Sequence, residues 1–240
     1  MTIDKRILIV GIGGLGAPAA LAIAREKSVR HMGLMDPDPV ELSNLHRQVI
    51  YTASDIGKPK VEVAARHLQK INPALKIEPL RSALIAANAR EIIARYDFVI
   101  DGTDSPAAKF LINDIALATT TPFIYGGVLG MTGQAMTVIP QRTACIRCLF
   151  EEVSDAAEVA SCRESGILGP VAGAIGTVQA HEAIAFAQGR APKLVGGVLT
   201  YDAATVRTRF AIVNPRPGCI CGAYYRSAKE PEETSAQARH

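Results

Sequence analysis

The chain has 240 residues, 48% of them hydrophobic and 20% charged, which is ordinary globular usage and excludes a disordered chain, a collagen-like repeat or a highly charged tail protein. Lys and Arg number 26 against 23 Asp and Glu, a formal charge of +3; with aromatics at 5% and no Trp, neither a basic face nor a stacking platform for nucleic acid is indicated. A chain of this length buries a core without staples, and one domain is expected over residues 1–225, with 226–240 a frayed polar tail.

Lys5 and Arg6 precede an uncharged stretch from Ile7 to Ala24, long enough to be weighed as a targeting segment or a membrane span. Gly11, Gly13, Gly14, Gly16 and Pro18 interrupt it, so it reads instead as a buried strand (Arg6–Val10), a glycine turn and a helix (Ala17–Lys27). A cytoplasmic location is the corresponding expectation. Further strands are predicted at Val29–Met35, Ile77–Leu80, Phe98–Asp101 and Pro122–Gly126, and helices at Val61–Ile71, Ala89–Tyr96 and Ala107–Thr119. This β-α-β alternation implies a Rossmann-like, mostly parallel sheet with helices on both faces. The C-terminal half is expected to be partly antiparallel, with strands at Gly133–Ile139, Leu194–Tyr201 and Thr208–Val213, a long apolar helix at Val171–Gln188 capped by Gly189, and a loop at Glu151–Glu164.

Gly11-Ile12-Gly13-Gly14-Leu15-Gly16 follows a strand and opens a helix. Its glycines allow a tight turn and let backbone amides approach phosphate oxygens, and the helix dipole adds to the attraction. Asp36 lies 20 residues beyond Gly16, at the end of the next strand, where an acid binds ribose hydroxyls. These features predict a nucleotide site without distinguishing NAD, FAD or ATP. An NAD site leaves the pyrophosphate intact and needs few cations. Here Arg47, Lys60 and the Asp101-Gly102-Thr103-Asp104 turn are candidates to converge on one nucleotide, a combination suited to attack at phosphate. Taken singly, Arg47 and Lys60 read equally well as solvated surface charges. Cys145-x-x-Cys148 and Cys219-x-Cys221 form two close pairs, and four thiolates close a tetrahedral zinc site; four unliganded thiols are the alternative. The odd cysteine count in a cytosolic chain argues against a disulfide framework. His31, His46, His67 and His181 show no ligand spacing and read as structural.

Together the glycine loop, Asp36-x-Asp38-x-Val40, Ser43-Asn44-Leu45-x-Arg47-Gln48, Lys58-Pro59-Lys60, Thr103-Asp104 and the cysteine pairs resemble the ThiF/MoeB/HesA family of ubiquitin-activating-like adenylyltransferases, over about residues 6 to 222. The resemblance implies ATP-dependent adenylylation of the C-terminal glycine of a ubiquitin-like sulfur-carrier protein ending in Gly-Gly. A sulfur donor such as a cysteine desulfurase would act in the same pathway, which makes thiamine, molybdopterin or another thio-product. It implies a homodimer, with no membrane or nucleic-acid partner. Asp36 and Asp38 would belong to the nucleotide site, Asp36 holding the ribose. Asn44, Arg47 and Lys60 would contact phosphates, Asp104 would ligate magnesium, and Cys145, Cys148, Cys219 and Cys221 would hold zinc.

Cys162 resembles the cysteine that ThiF-like members use for a persulfide-linked carrier conjugate, with Arg163 beside it to lower its pKa; MoeB-like members keep a cysteine there without needing it. The sequence departs from the family in several places. The second cysteine pair is C-x-C rather than C-x-x-C, Ser105 stands where Asn is common, and Lys109 where Arg is common. Only Met1 to Lys5 precede the first strand, where the family usually has a helical segment carrying an Arg for the neighbouring subunit's ATP. Three other readings remain: a tRNA threonylcarbamoyladenosine dehydratase-like enzyme, a carrier-binding pseudoenzyme and an NAD-dependent oxidoreductase.

Overall fold

The computed structural model describes residues 5–150 and 166–222. Eight strands form one sheet in the order β3-β2-β1-β4-β5-β6-β7-β8. They are β1 (Lys5–Val10), β2 (Val29–Met35), β3 (Lys76–Leu80), β4 (Phe98–Asp101), β5 (Phe123–Leu129), β6 (Thr132–Val138), β7 (Gly197–Asp202) and β8 (Arg207–Ile212). Pairing is parallel from β3 to β5 and antiparallel from β5 to β8, so the parallel sheet and the antiparallel C-terminal part are both as expected. The helices are α1 (Gly16–Ala24), α2 (Lys60–Ile71), α3 (Ala86–Ile93), α4 (Pro106–Thr119), the single turn α5 (Ile146–Leu149) and α6 (Gly169–Ala187).

Side chains alternate across the central strands, and each sheet face has its own core. Ile7, Ile9, Met32, Leu34, Phe98 and Ile100 pack under α1, α2 and α6. Leu8, Val10, Val99, Phe123 and Tyr125 pack under α3 and α4. Helix α6 is apolar around most of its circumference because it is buried against both α1 and the sheet. Gly176 allows the close approach: a Cβ there would overlap the carbonyl oxygen of Leu15. Among the described residues no helix is long and apolar enough to cross a membrane.

Several element boundaries differ from expectation, α1 ending at Ala24 rather than Lys27 among them, and three have plain local reasons. The helix predicted at Ala89–Tyr96 is displaced toward the N-terminus, to Ala86–Ile93. Asn88 accepts from the Ile85 N–H at 2.9 Å and so fixes an earlier start. At the other end Arg95 and Tyr96 both turn away to Glu78. Strand β7 begins at Gly197 rather than Leu194, because Gly196 has φ +81° and the Leu194 N–H is held by Glu182. Strand β5 runs on to Leu129, paired with β6 up to a turn at Gly130 of φ +56°. The predicted loop Glu151–Glu164 and tail 226–240 lie outside the described residues, as does Cys162.

Candidate nucleotide site and cysteine cluster

The C-terminal ends of β1, β2 and β4 deliver Gly11, Asp36 and Asp101 to one end of the sheet, where open α/β sheets bind ligands. Three backbones meet there. Gly11 has φ +85°, a Cβ on it would lie 2.8 Å from the Gly102 carbonyl oxygen, and a Cβ on Gly16 would overlap the Gly11 oxygen. Gly13 and Gly14 line the open side of the turn, with the Arg47 stem beside Gly14. No side chain caps α1, whose N-cap residue is Leu15; the Ala17 N–H is bonded to the Gly13 carbonyl at 3.0 Å and Pro18 has none, which leaves the amides of Gly13 to Gly16 as the candidates to meet anionic oxygens. Tyr51 pins the turn, donating its hydroxyl to the Ile12 carbonyl at 2.9 Å.

Asp36 is buried. Its Oδ2 accepts from the Ile12 N–H at 2.8 Å and its Oδ1 from the Asp38 N–H at 2.9 Å. Burial lifts its carboxyl above the ordinary carboxylate range, against the pull of the Lys60 ammonium. Lys60, buried at the start of α2, stands 3.6 Å from Asp36 and 3.1 Å from the exposed Asp38, so it is no solvated surface charge. Asn44 is buried in the turn Leu42–Asn44; its Oδ1 accepts from Arg47 and from Gln48, both at 2.9 Å. Asn44 thus holds the Arg47 guanidinium, and Arg47 is half-buried rather than free in solvent. Asp104, in the turn between β4 and α4, is exposed and has no hydrogen bond or ion pair among the described residues. Asp36, Asp38, Asn44, Arg47 and Lys60 therefore gather around the glycine loop, with the Asp101–Asp104 turn packed against it through Gly102.

Four features of this region were not legible in the sequence. Gly102 completes the backbone contact; the signal was a glycine between a strand-end acid and Thr-Asp. Gln48 and Gln179 are buried, each with an Oε1 that finds no partner among the described residues. Lys109 is paired with Asp101 at 3.0 Å instead of facing a ligand. Ser105 caps α4, accepting from the Ala108 N–H at 3.4 Å, so Ser in place of Asn preserves a good N-cap.

The four paired cysteines converge: the sulfurs of Cys145, Cys148, Cys219 and Cys221 all lie within 4.8 Å of one another. Cys145 is 3.6 Å from Cys219, and Cys148 is 3.4 Å from Cys221. Sulfurs bound tetrahedrally to zinc at about 2.3 Å stand about 3.8 Å apart, so this donor set fits the ion. The shortened C-x-C pair brings both of its sulfurs into the cluster. Helix α4 positions it: Asn113 accepts from the Ile146 N–H at 3.0 Å, and Asp114 takes Arg147 bidentately at 2.8 and 2.7 Å. Burial and the neighbouring sulfurs push the Cys145 thiol up to about 12 and raise Cys221 as well. Cys148 is half-buried, which raises its thiol, but the Arg216 N–H at 3.3 Å and other hydrogen bonds hold it below the ordinary thiol value. Of the histidines, His67 bonds the Ile50 carbonyl at 2.7 Å and His46 lies 3.3 Å from Arg47.

A Rossmann-like sheet with a glycine turn at its strand ends and a separate cluster of four thiols defines a class of α/β protein. Within that class, the chain belongs to the ThiF family, matching it over residues 3–221. It is 36% identical over 222 residues to a sulfur carrier protein adenylyltransferase of Thermus thermophilus, covering 90% of this chain and 82% of that one. It is 35% identical over 221 residues to the SAMP-activating enzyme E1 of Haloferax volcanii, covering 92% and 81%. It is 38% identical over 222 residues to the adenylyltransferase and sulfurtransferase MOCS3 of Arabidopsis thaliana. That match covers 92% of this chain but 48% of the relative, so the chain spans about half the length of such two-activity relatives. Escherichia coli MccB, solved with ATP, shares the fold with a TM-score of 0.80 at 20% identity, over 91% of this chain and 67% of that one.

Proposed function

We propose that this chain adenylylates the C-terminal glycine of a ubiquitin-like sulfur-carrier protein, with MgATP as co-substrate. The observation that carries this reading is the assembly of Asp36, Arg47 and Lys60 around an uncapped glycine loop, in a chain whose relatives include sulfur-carrier adenylyltransferases. A carrier carboxylate oxygen attacks the α-phosphorus of ATP. The bond from that phosphorus to the bridging oxygen breaks, and pyrophosphate leaves with the electron pair. The carboxylate is already ionised at neutral pH, so no general base is needed and catalysis rests on positioning and electrostatics.

In this reading Asp36 accepts from ribose hydroxyls. The amides of Gly13 to Gly16 hold the phosphates, those of Gly11 and Ile12 being bonded to Met35 and Asp36. Arg47, aimed by Asn44, and Lys60 stabilise the charge that develops on the phosphate oxygens. Asp104, with no hydrogen bond or ion pair among the described residues, would hold a magnesium ion, which would supply neutralisation of phosphate charge. The four clustered cysteines hold a structural zinc that clips the C-terminal segment to α4. Cys162 is the candidate acceptor of a sulfur-linked conjugate, and a cytoplasmic homodimer is the proposed working form.

The test is carrier-dependent ATP–pyrophosphate exchange with magnesium, against a panel of Gly-Gly-ending carriers. Exchange with one carrier, lost in Arg47→Ala and Asp104→Ala proteins that keep the wild-type melting profile, is the expected result. Silence across the panel from folded protein that binds ATP overturns the reading and favours a carrier-binding scaffold or a tRNA-directed enzyme. Normal exchange in either variant overturns the residue assignment.

A further inference from the structure

We infer that Lys109 and Gln179 are positioning residues that lock the Asp101–Asp104 turn and thereby aim Asp104 at the nucleotide-bound cation. The Asp101 side chain is wholly buried, yet it does not face the cradle as a ligand would. Its Oδ1 accepts from both the N–H and the hydroxyl of Thr103, at 3.0 and 2.7 Å, which winds the chain into the turn that ends in Asp104. Its Oδ2 is paired with Lys109 at 3.0 Å. The Lys109 ammonium also donates to the Gly126 carbonyl at 2.5 Å and lies 5.1 Å from the centre of the Tyr125 ring. Its side chain is 13% exposed, so this cation is committed inside the protein and is not offered to phosphate.

Gln179 closes the lock from the other face of the sheet. Its amide donates to the backbone carbonyl of Asp101 at 2.7 Å and to that of Ile124 at 3.4 Å. Gly126 leaves room for it: a Cβ there would overlap the Gln179 amide. A buried amide whose own Oε1 has no partner among the described residues is costly to keep for packing alone. The two residues thus join α4, β4, β5 and α6 at the point where the chain leaves the sheet for Asp104. Outer partners of this kind set metal affinity without touching the metal.

The inference rests on the reading of Asp104 as a magnesium ligand, and the test separates the two. Calorimetry gives the ATP affinity with magnesium and with EDTA, and the ratio measures the cation's contribution. In Lys109→Met and Gln179→Leu the ratio is expected to fall about tenfold, while affinity in EDTA stays within about twofold. Lys109→Arg should recover most of it, because a guanidinium reaches the same carboxylate. Should Lys109→Met fail to fold, Thr103→Val deletes one bond to that carboxylate and no charge, with an expected loss of about threefold. A wild-type ratio in the folded Lys109 or Thr103 variant, alongside a lost ratio in Asp104→Ala, overturns the inference and leaves the Asp104 reading standing. A wild-type ratio in Asp104→Ala, or no magnesium effect on the parent protein, overturns both.

Discussion

The contact of Gly11, Gly16 and Gly102 makes Gly102→Ala a sharp test of how the site is built. Gly102 does not adopt a left-handed backbone, so alanine meets no conformational objection there and the penalty is steric. A Cβ would stand 2.6 Å from the Gly11 oxygen, about 0.8 Å inside the 3.4 Å at which ordinary contact begins, and 3.1 Å from the Gly16 nitrogen. These are backbone atoms and cannot rotate aside. The Gly11 N–H is tied to Met35 at 2.7 Å and the Gly102 N–H to Val10 at 2.8 Å, so relief means bending the sheet ends. Overpacking of this kind costs about 1–3 kcal/mol, a fall in melting temperature of about 2–12 °C for a chain of this size. Gly13→Ala is the counterpart. Its nearest neighbour would be Gln48 Nε2 at 3.6 Å, so its stability should stay within about 0.5 kcal/mol of the parent. Because Gly13 lines the open side of the cradle, its ATP affinity should nevertheless drop at least about tenfold. Thermal denaturation with and without ATP reads both effects. A Gly102→Ala protein melting within about 1 °C of the parent, or a Gly13→Ala protein with the parent's ATP affinity, refutes the reasoning.

Purified protein should carry one zinc per chain by elemental analysis, and Cys219→Ser should lose both the metal and thermal stability; metal-free parent protein of unchanged stability counts against the site. The raised carboxyl of Asp36 means that, just above the ordinary carboxylate range, the folded state keeps a proton that the unfolded chain has released. Its contribution to stability therefore grows as pH falls through that window and is lost as pH rises, whereas ATP affinity falls as the carboxylate is protonated; Asp36→Asn should remove both dependences in pH-resolved melting and titration. Asp36→Asn should cost at least about tenfold in ATP affinity, and Asp38→Asn less than about threefold, by calorimetry at neutral pH.

The sequence was most legible where one local pattern decided the outcome. Strands Val29–Met35 and Phe98–Asp101 match the reading to the residue: Phe98–Ile100 is an apolar run between two aspartates, and Val29–Met35 is bounded by Ser28 and Asp36. The glycine turn, Asp36 and the cysteine pairs were also visible, since fixed spacing carries their chemistry. Boundaries failed where a side chain overrode periodicity, as Asn88 does at the start of α3 and Glu182 does before β7. The site failed to be legible where its logic is long-range. Nothing near Lys109 in sequence announces that its charge belongs to Asp101. Gln179, between Val178 and Ala180, gains meaning only when α6 lies across β4 and β5. Lys60 looks like a surface lysine until β2 brings two carboxylates to it.

The unequal costs expected at Asp36 and Asp38 follow from how the free site disposes of its charge. An ionised carboxylate offers about four lone-pair positions. At Asp36 one on each oxygen is filled by a backbone N–H, from Ile12 and from Asp38, which fixes the group rigidly and leaves one acceptor position per oxygen for a pair of adjacent hydroxyls. That arrangement already bears the desolvation that raises the Asp36 carboxyl, so a donor pair arriving from a ribose relieves a cost incurred in folding. Asp38 differs. Its side chain is 60% exposed, and its described partner is the Lys60 ammonium at 3.1 Å. An incoming phosphate competes with Asp38 for that ammonium, so a neutral amide at position 38 removes a competitor at the same time as it removes any direct contact. The two effects oppose, and the net change is small. At Asp36 a neutral amide would also loosen the hold on Lys60, 3.6 Å away, but this is outweighed, because the carboxylate organises the glycine turn and receives the ligand with the same two oxygens.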